Sequence, residues 1–189
     1  MAIGGMAKVE KEGGVKVNWT PWEGRPAGVA FLESTPEQAE ERLAKHQALA
    51  SNYGMTLIFP QKKCRTRLTH QATLFARDYA LMKPFREAVY HARYQEDRDI
   101  ADPGVLVELG EKVGLEGKAL AGALEHETYA GELDEMRRNG ERLGVEGVPT
   151  YAFDGRTIHG VDSTEEVQFC QREAASSSTV RPCPGSSIA

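Results

Sequence analysis

Cysteine is scarce in this chain of 189 residues, and the three present, Cys64, Cys170 and Cys183, stand at no Cys-x-x-Cys redox spacing and at no zinc-ligand spacing. The five histidines, His46, His70, His91, His126 and His159, match no ligand pattern either, so no metal is expected. Long apolar runs are missing too: nothing approaches a membrane span, and the first residues do not read as a secretory signal. Charge of one sign is also lacking. A net charge of −5 with both signs interspersed offers no footprint for nucleic acid or an anionic membrane. Glycines form no phosphate loop, and no serine has a base at a recognisable spacing. Unpaired cysteines suit a reducing compartment, so the expected localisation is cytoplasmic.

What is present is most informative between Leu143 and Arg156. A helical run over Gly131 to Leu143 meets Gly144, a residue free to adopt positive φ, and Gly147 keeps the connection short. Tyr151 to Phe153 and Thr157 to His159 are β-prone runs around Asp154-Gly155, a hairpin signal. Pro149 precedes the first strand, where its missing N–H costs no ladder bond. Local chemistry leaves its peptide bond open. A trans proline that separates helix from strand is the plainer reading, and cis costs only about 0.5 to 1 kcal/mol.

The length suits one well-buried domain or a small sheet with a helical subdomain. Thr35-Pro36-Glu37-Gln38 predicts a capped helix start. Further helices are predicted over Thr66 to Ala80, with Leu68, Ala72 and Phe75 or Ala76 on one face, and over Met82 to Gln95, through Phe85, Val89 and Ala92. Asp102-Pro103 caps a helix from Gly104 to Val113, and Lys118 to Glu127 forms the next. The charges from Glu132 to Arg142 are expected to pair along a solvated face at about 0.2 to 0.5 kcal/mol each. Ser163 to Glu166 opens a last helix, and the residues from Ala174 onward have almost nothing to bury. Cys64, among Lys62, Lys63, Arg65 and Arg67, reads as an unreactive loop thiol, although exposed basic neighbours would lower its pKa. His159 lies near Pro149 in the hairpin, where its strand position offers no acid-base partner.

Gly147-Val148-Pro149-Thr150-Tyr151, followed by Asp154-Gly155-Arg156 and Gly160, resembles the carboxy-terminal motif of DsbA-like thioredoxin-fold oxidoreductases, in particular the FrnE-like branch. Val17-Asn18-Trp19-Thr20-Pro21-Trp22-Glu23 is similar to that branch's second strand and its exit. Thr66-Arg67-Leu68, Phe85 to Tyr90 and Asp97 to Pro103 are similar to its helical insertion. The series runs in order from Met6 to Arg172.

This resemblance implies an α/β, thioredoxin-like fold with an all-helical insertion. Met6 to Glu12 with Gly13-Gly14 resembles the end of the redox helix, so the first strand, the Cys-x-x-Cys and most of that helix are expected upstream of Met1. Residues 1–32 would then hold the helix remnant and a sheet strand from Val15 to Trp19. Residues 33–143 would form the helical insertion, 144–173 the hairpin and last helix, and 174–189 a disordered tail. The expectation is a weakened fold that keeps insertion and hairpin.

The function implied is disulfide exchange with a cysteine-containing protein or peptide. Val148 would offer backbone groups to the substrate, Pro149 in cis would press against the reactive sulfur, and Trp22 would border the same surface. No catalytic residue, metal or cofactor is assigned within the chain, which as written is expected to bind and not turn over. Two alternatives stay open. One is a glutathione-dependent isomerase of the 2-hydroxychromene-2-carboxylate type, which makes glutathione a further candidate partner. The other is a non-catalytic peptide-binding module. Self-association into a homodimer is open in each case.

Overall fold

A computed structural model describes residues 16–31, 33–51, 58, 60, 63–153 and 156–160. The Asp154-Gly155 turn, the helix expected from Thr164, Cys170, Cys183 and the remnant before Val15 lie outside the described residues. Among the described residues six helices and a hairpin follow one another: α1 Pro36–Ser51, α2 Arg67–Asp78, α3 Met82–Gln95, α4 Pro103–Lys112, α5 Gly117–Glu125, α6 Ala130–Arg142, β1 Thr150–Phe153 and β2 Arg156–His159. The chain divides into two compact units, residues 20–139 and residues 1–19 with 140–189.

The helix starts follow from side-chain oxygens. Thr35 and Gln38 close a reciprocal capping box on α1, the Thr35 N–H donating to Gln38 Oε1 at 3.1 Å and the Gln38 N–H to Thr35 Oγ1 at 3.3 Å. Asp102 accepts from the Gly104 N–H at 2.7 Å and starts α4, with Pro103 in the first turn. Glu116, which sequence spacing leaves in a linker, caps α5 by accepting from the Lys118 and Ala119 N–H groups. Gly114 (φ +98°) and Gly144 (φ +76°) follow α4 and α6 in left-handed conformations. At the end of α2 that role falls to Ala80, at φ +59°, so the helix stops at Asp78 and not at Ala80 itself.

The core of the helical unit is built from Ala72, Phe75 and Ala76 of α2, Phe85, Val89 and Ala92 of α3, Ile100 in the turn before α4, Leu106 and Leu109 of α4, Leu115, and Leu120 and Leu124 of α5. Helix α4 approaches α5 closely at Gly110, where a Cβ would lie 2.6 Å from Leu120 Cδ2.

Three expectations need correction. Helix α2 buries more than one stripe: Gln71 and Leu74, off the predicted face, are fully buried as well. The carboxylates of α6 do not pair only along their own helix, because Glu132 and Asp134 receive Arg77 and Arg67 of α2. Lys16 to Trp19 are not in a strand, and among the described residues the sheet is the hairpin alone, with Thr150 opposite His159 and Phe153 opposite Arg156. His70 is partly buried on α2, and burial pushes its pKa down to about 4.

Two outcomes follow. The folded chain holds His70 neutral where the unfolded chain, near pKa 6.5, takes a proton. Stability is therefore expected to fall by about 1 to 3 kcal/mol as pH drops from about 6.5 to 4. In denaturant titrations across that window, His70→Leu should flatten this component of the slope. Ala80→Gly should raise stability by about 0.5 to 1 kcal/mol, because glycine takes positive φ without a Cβ clash.

Candidate functional site

The end of α6 delivers the chain to the hairpin in a fixed order. The Gly144 N–H donates to the Glu141 carbonyl at 3.0 Å and the Val145 N–H to the Gly140 carbonyl at 2.9 Å, closing the helix over Gly144. The chain then turns out through Gly147 to Val148–Pro149, whose peptide bond is cis. Just beyond it, the Thr150 hydroxyl donates to the Gly147 carbonyl at 2.6 Å, and the Gly160 N–H donates to the Pro149 carbonyl at 2.8 Å. Pro149 is thus clamped between loop and hairpin. Val148 is left 70% exposed, an apolar side chain at the mouth of a fixed turn.

Thr150 also meets His159, the residue opposite it in the ladder, with Oγ1 3.1 Å from Nδ1. Proximity of His159 to Pro149 in sequence hints at this contact, but the hydroxyl partner emerges only from the strand register.

Trp22 belongs to the helical unit, whereas Val148 and Pro149 belong to the other. Its half-buried indole sits beside Glu23, a carboxylate only 1% exposed. Arg67, at the start of α2, reaches that carboxylate with Nη1 at 2.9 Å and makes a two-pronged contact with Asp134 of α6 at 2.9 and 3.3 Å. Arg65 holds the following turn by donating to the carbonyls of Arg25, Pro26 and Val29 at 3.0, 2.8 and 2.9 Å, and its guanidinium lies over the Phe31 ring. Two arginines at one helix start therefore fix the loop that carries Trp22. The motifs Trp22-Glu23 and Thr66-Arg67 are visible in the sequence, but nothing there pairs them.

The same arginines explain why Cys64 is not activated. Arg65 and Arg67 are engaged elsewhere, and the thiol packs against the helical core. Burial pushes its pKa up, with Arg93 pulling down less strongly and Asp99 adding to the rise. Neither a nucleophilic cysteine nor a group of three or more metal-binding side chains occurs among the described residues. No helix there is long and apolar enough to cross a membrane.

The three members of the Glu23–Arg67–Asp134 cluster should differ in unfolding titrations. Arg67→Ala strands a buried carboxylate and should cost about 3 to 5 kcal/mol. Glu23→Ala removes the buried charge itself and should cost about 1 to 3 kcal/mol. Asp134, which is 41% exposed, should cost about 1 kcal/mol or less. An Asp134→Ala variant as damaged as Arg67→Ala would show that the surface prong, and not buried Glu23, dominates.

Comparison with known proteins gives this arrangement a family. Uncharacterized protein YwbO of Bacillus subtilis (strain 168) is 28% identical over 151 residues, which is 77% of this chain and 76% of that protein. A probable DsbA oxidoreductase from Streptomyces coelicolor superposes with a TM-score of 0.71 at 22% identity over 79% of this chain. The chain spans 65% of that protein's length. A 2-hydroxychromene-2-carboxylate isomerase also superposes with a TM-score of 0.71, at 16% identity, over 89% of this chain and 84% of its own. At these identities the structural matches establish the thioredoxin-like fold. Residues 5–169 match the family of DSBA-like thioredoxin domains, and the chain belongs to that family.

Proposed function

We infer that this chain serves the substrate side of thiol–disulfide exchange, holding an extended cysteine-containing peptide against the turn at Val148–Pro149. The exposure of Val148 carries this reading. A side chain 70% open to solvent sits on a turn whose backbone is pinned by Thr150 and Gly160, so contact surface is available without further ordering. Val148 supplies apolar contact and backbone groups, and Pro149 closes the surface from beneath.

These 189 residues contain no cysteine pair at redox spacing, so their own contribution is docking. Burial of the unpaired Cys64 thiol fits a reducing cytoplasm as the place of action.

The wider match to the isomerase structure favours a second reading, in which glutathione is the bound thiol and the domain serves an isomerisation. Binding separates the two. Fluorescence anisotropy with a short peptide bearing one reduced cysteine should give saturable binding, and calorimetry with glutathione should give none. Val148→Asp should weaken peptide binding about tenfold, through loss of roughly 1.4 kcal/mol of apolar contact. Its melting temperature should hold, since the side chain is exposed. In an insulin-reduction assay the chain should remain at background. Glutathione binding with no peptide binding would replace the first reading with the second, and binding of neither would remove both.

A further inference from the structure

Two contacts at the head of the hairpin determine which nitrogen of His159 carries its hydrogen. The Thr150 hydroxyl oxygen lies 2.6 Å from the Gly147 carbonyl oxygen and 3.1 Å from His159 Nδ1. A hydroxyl has one proton to give. Two oxygens this close need a hydrogen between them, so the proton points at Gly147 and Oγ1 is left to accept from the imidazole. The neutral ring therefore carries its hydrogen on Nδ1, and Nε2 keeps a lone pair. His159 is exposed, and among the described residues nothing bonds Nε2.

Register places the His159 ring beside the docking turn. Thr150 and His159 are opposed in the ladder, so their side chains share one face of the hairpin. The Gly160 N–H, just past the end of β2, is bonded to the Pro149 carbonyl. His159 is thus anchored beside the residue that follows Pro149, on a backbone fixed at both edges of the turn.

We propose that His159 contacts the ligand at this turn, its Nε2 accepting a hydrogen bond from the thiol of a cysteine peptide lying along Val148–Pro149. The proposal rests on the docking function inferred above and adds a chemical preference to it. An imidazole locked as an acceptor rewards a ligand that brings a donor. A reduced cysteine has the S–H; a thioether or a methyl group in its place has none. The hydrogen stays on sulfur and no covalent bond changes, so the preference is for the reduced state of the partner.

The test compares two otherwise identical peptides on the full chain under a phosphine reductant, one with cysteine and one with α-aminobutyrate, which replaces the S–H by a methyl group. The unaltered protein should bind the cysteine peptide about three- to tenfold more tightly, the range of one net hydrogen bond. His159→Ala should bring both peptides to the weaker affinity. Thr150→Val, which frees the ring, should reduce the preference, and Thr150→Ser should restore it. Imidazole nitrogen shifts of the unaltered protein should report the Nδ1–H form at neutral pH and move at Nε2 when the cysteine peptide is added. An equal affinity for the two peptides, a preference that survives His159→Ala, or an Nε2–H ring would overturn the role of His159 while leaving docking intact. Failure of both peptides to bind would overturn docking and this inference together.

Discussion

Arg67 is the contact on which the helical unit depends. Glu23 is buried to 1% exposure, and a carboxylate taken out of water costs several kcal/mol unless a cation and hydrogen bonds meet it. Arg67 meets it from α2 and spends its other prong on Asp134 of α6. Loop, second helix and sixth helix thus converge on one planar guanidinium, a geometry a lysine cannot reproduce. Arg65, two residues earlier, adds three bonds to backbone carbonyls of the same loop. Farther along α2, Arg77 repeats the pattern with Glu132, while the Tyr129 hydroxyl donates to Asp78 at 2.6 Å. Burial, followed by that bond, pushes the Tyr129 phenol up to about 12. The seam between α2 and α6 is therefore polar and charge-assisted, whereas the face of α2 toward α3, α4 and α5 is a hydrocarbon core.

The hairpin unit works on a smaller scale with the same economy of groups. A single hydroxyl, Thr150, fastens the turn backbone through Gly147 and orients the imidazole of His159. The Pro149 carbonyl is occupied by Gly160, so the exposed part of the turn is Val148. A turn constrained in this way presents a surface without losing conformational freedom when something binds. Cys64 shows the opposite design: a thiol set against hydrocarbon, its pKa raised, its basic neighbours committed to other partners. Basic residues near a cysteine in sequence therefore say little about its reactivity until their own partners are known.

Much of the scaffold was legible because the interactions that set it are local. Thr35 with Gln38, and Asp102 with Pro103, define helix starts within three or four residues of chain. Gly114 and Gly144 define ends through their own φ, and the spacing of Phe85, Val89 and Ala92 marks a buried stripe without knowledge of its partner. Where a local signal was incomplete, the boundary moved. Ala80 adopts the left-handed conformation that a glycine would have advertised, and Lys16 to Trp19 alternate in pattern yet are not in a strand.

The candidate site was legible only in part. Val148 and Pro149 stood out because a helix stop, a proline and a hairpin follow one another directly. Glu23, Gln71, His70 and Thr150 did not, since their character depends on groups that local spacing cannot reach. Glu23 and Arg67 are separated by 44 residues, Arg67 and Asp134 by 67, and Thr150 finds His159 only once the strands are in register. By itself the sequence determined where most helices begin and end, one apolar face of each and where the turn at Pro149 falls, because caps, periodicity and positive φ are properties of neighbours. Tertiary structure alone decided which charges are buried together, which thiol is silenced and which nitrogen of His159 is free, because burial and long-range pairing exist only after the chain has folded.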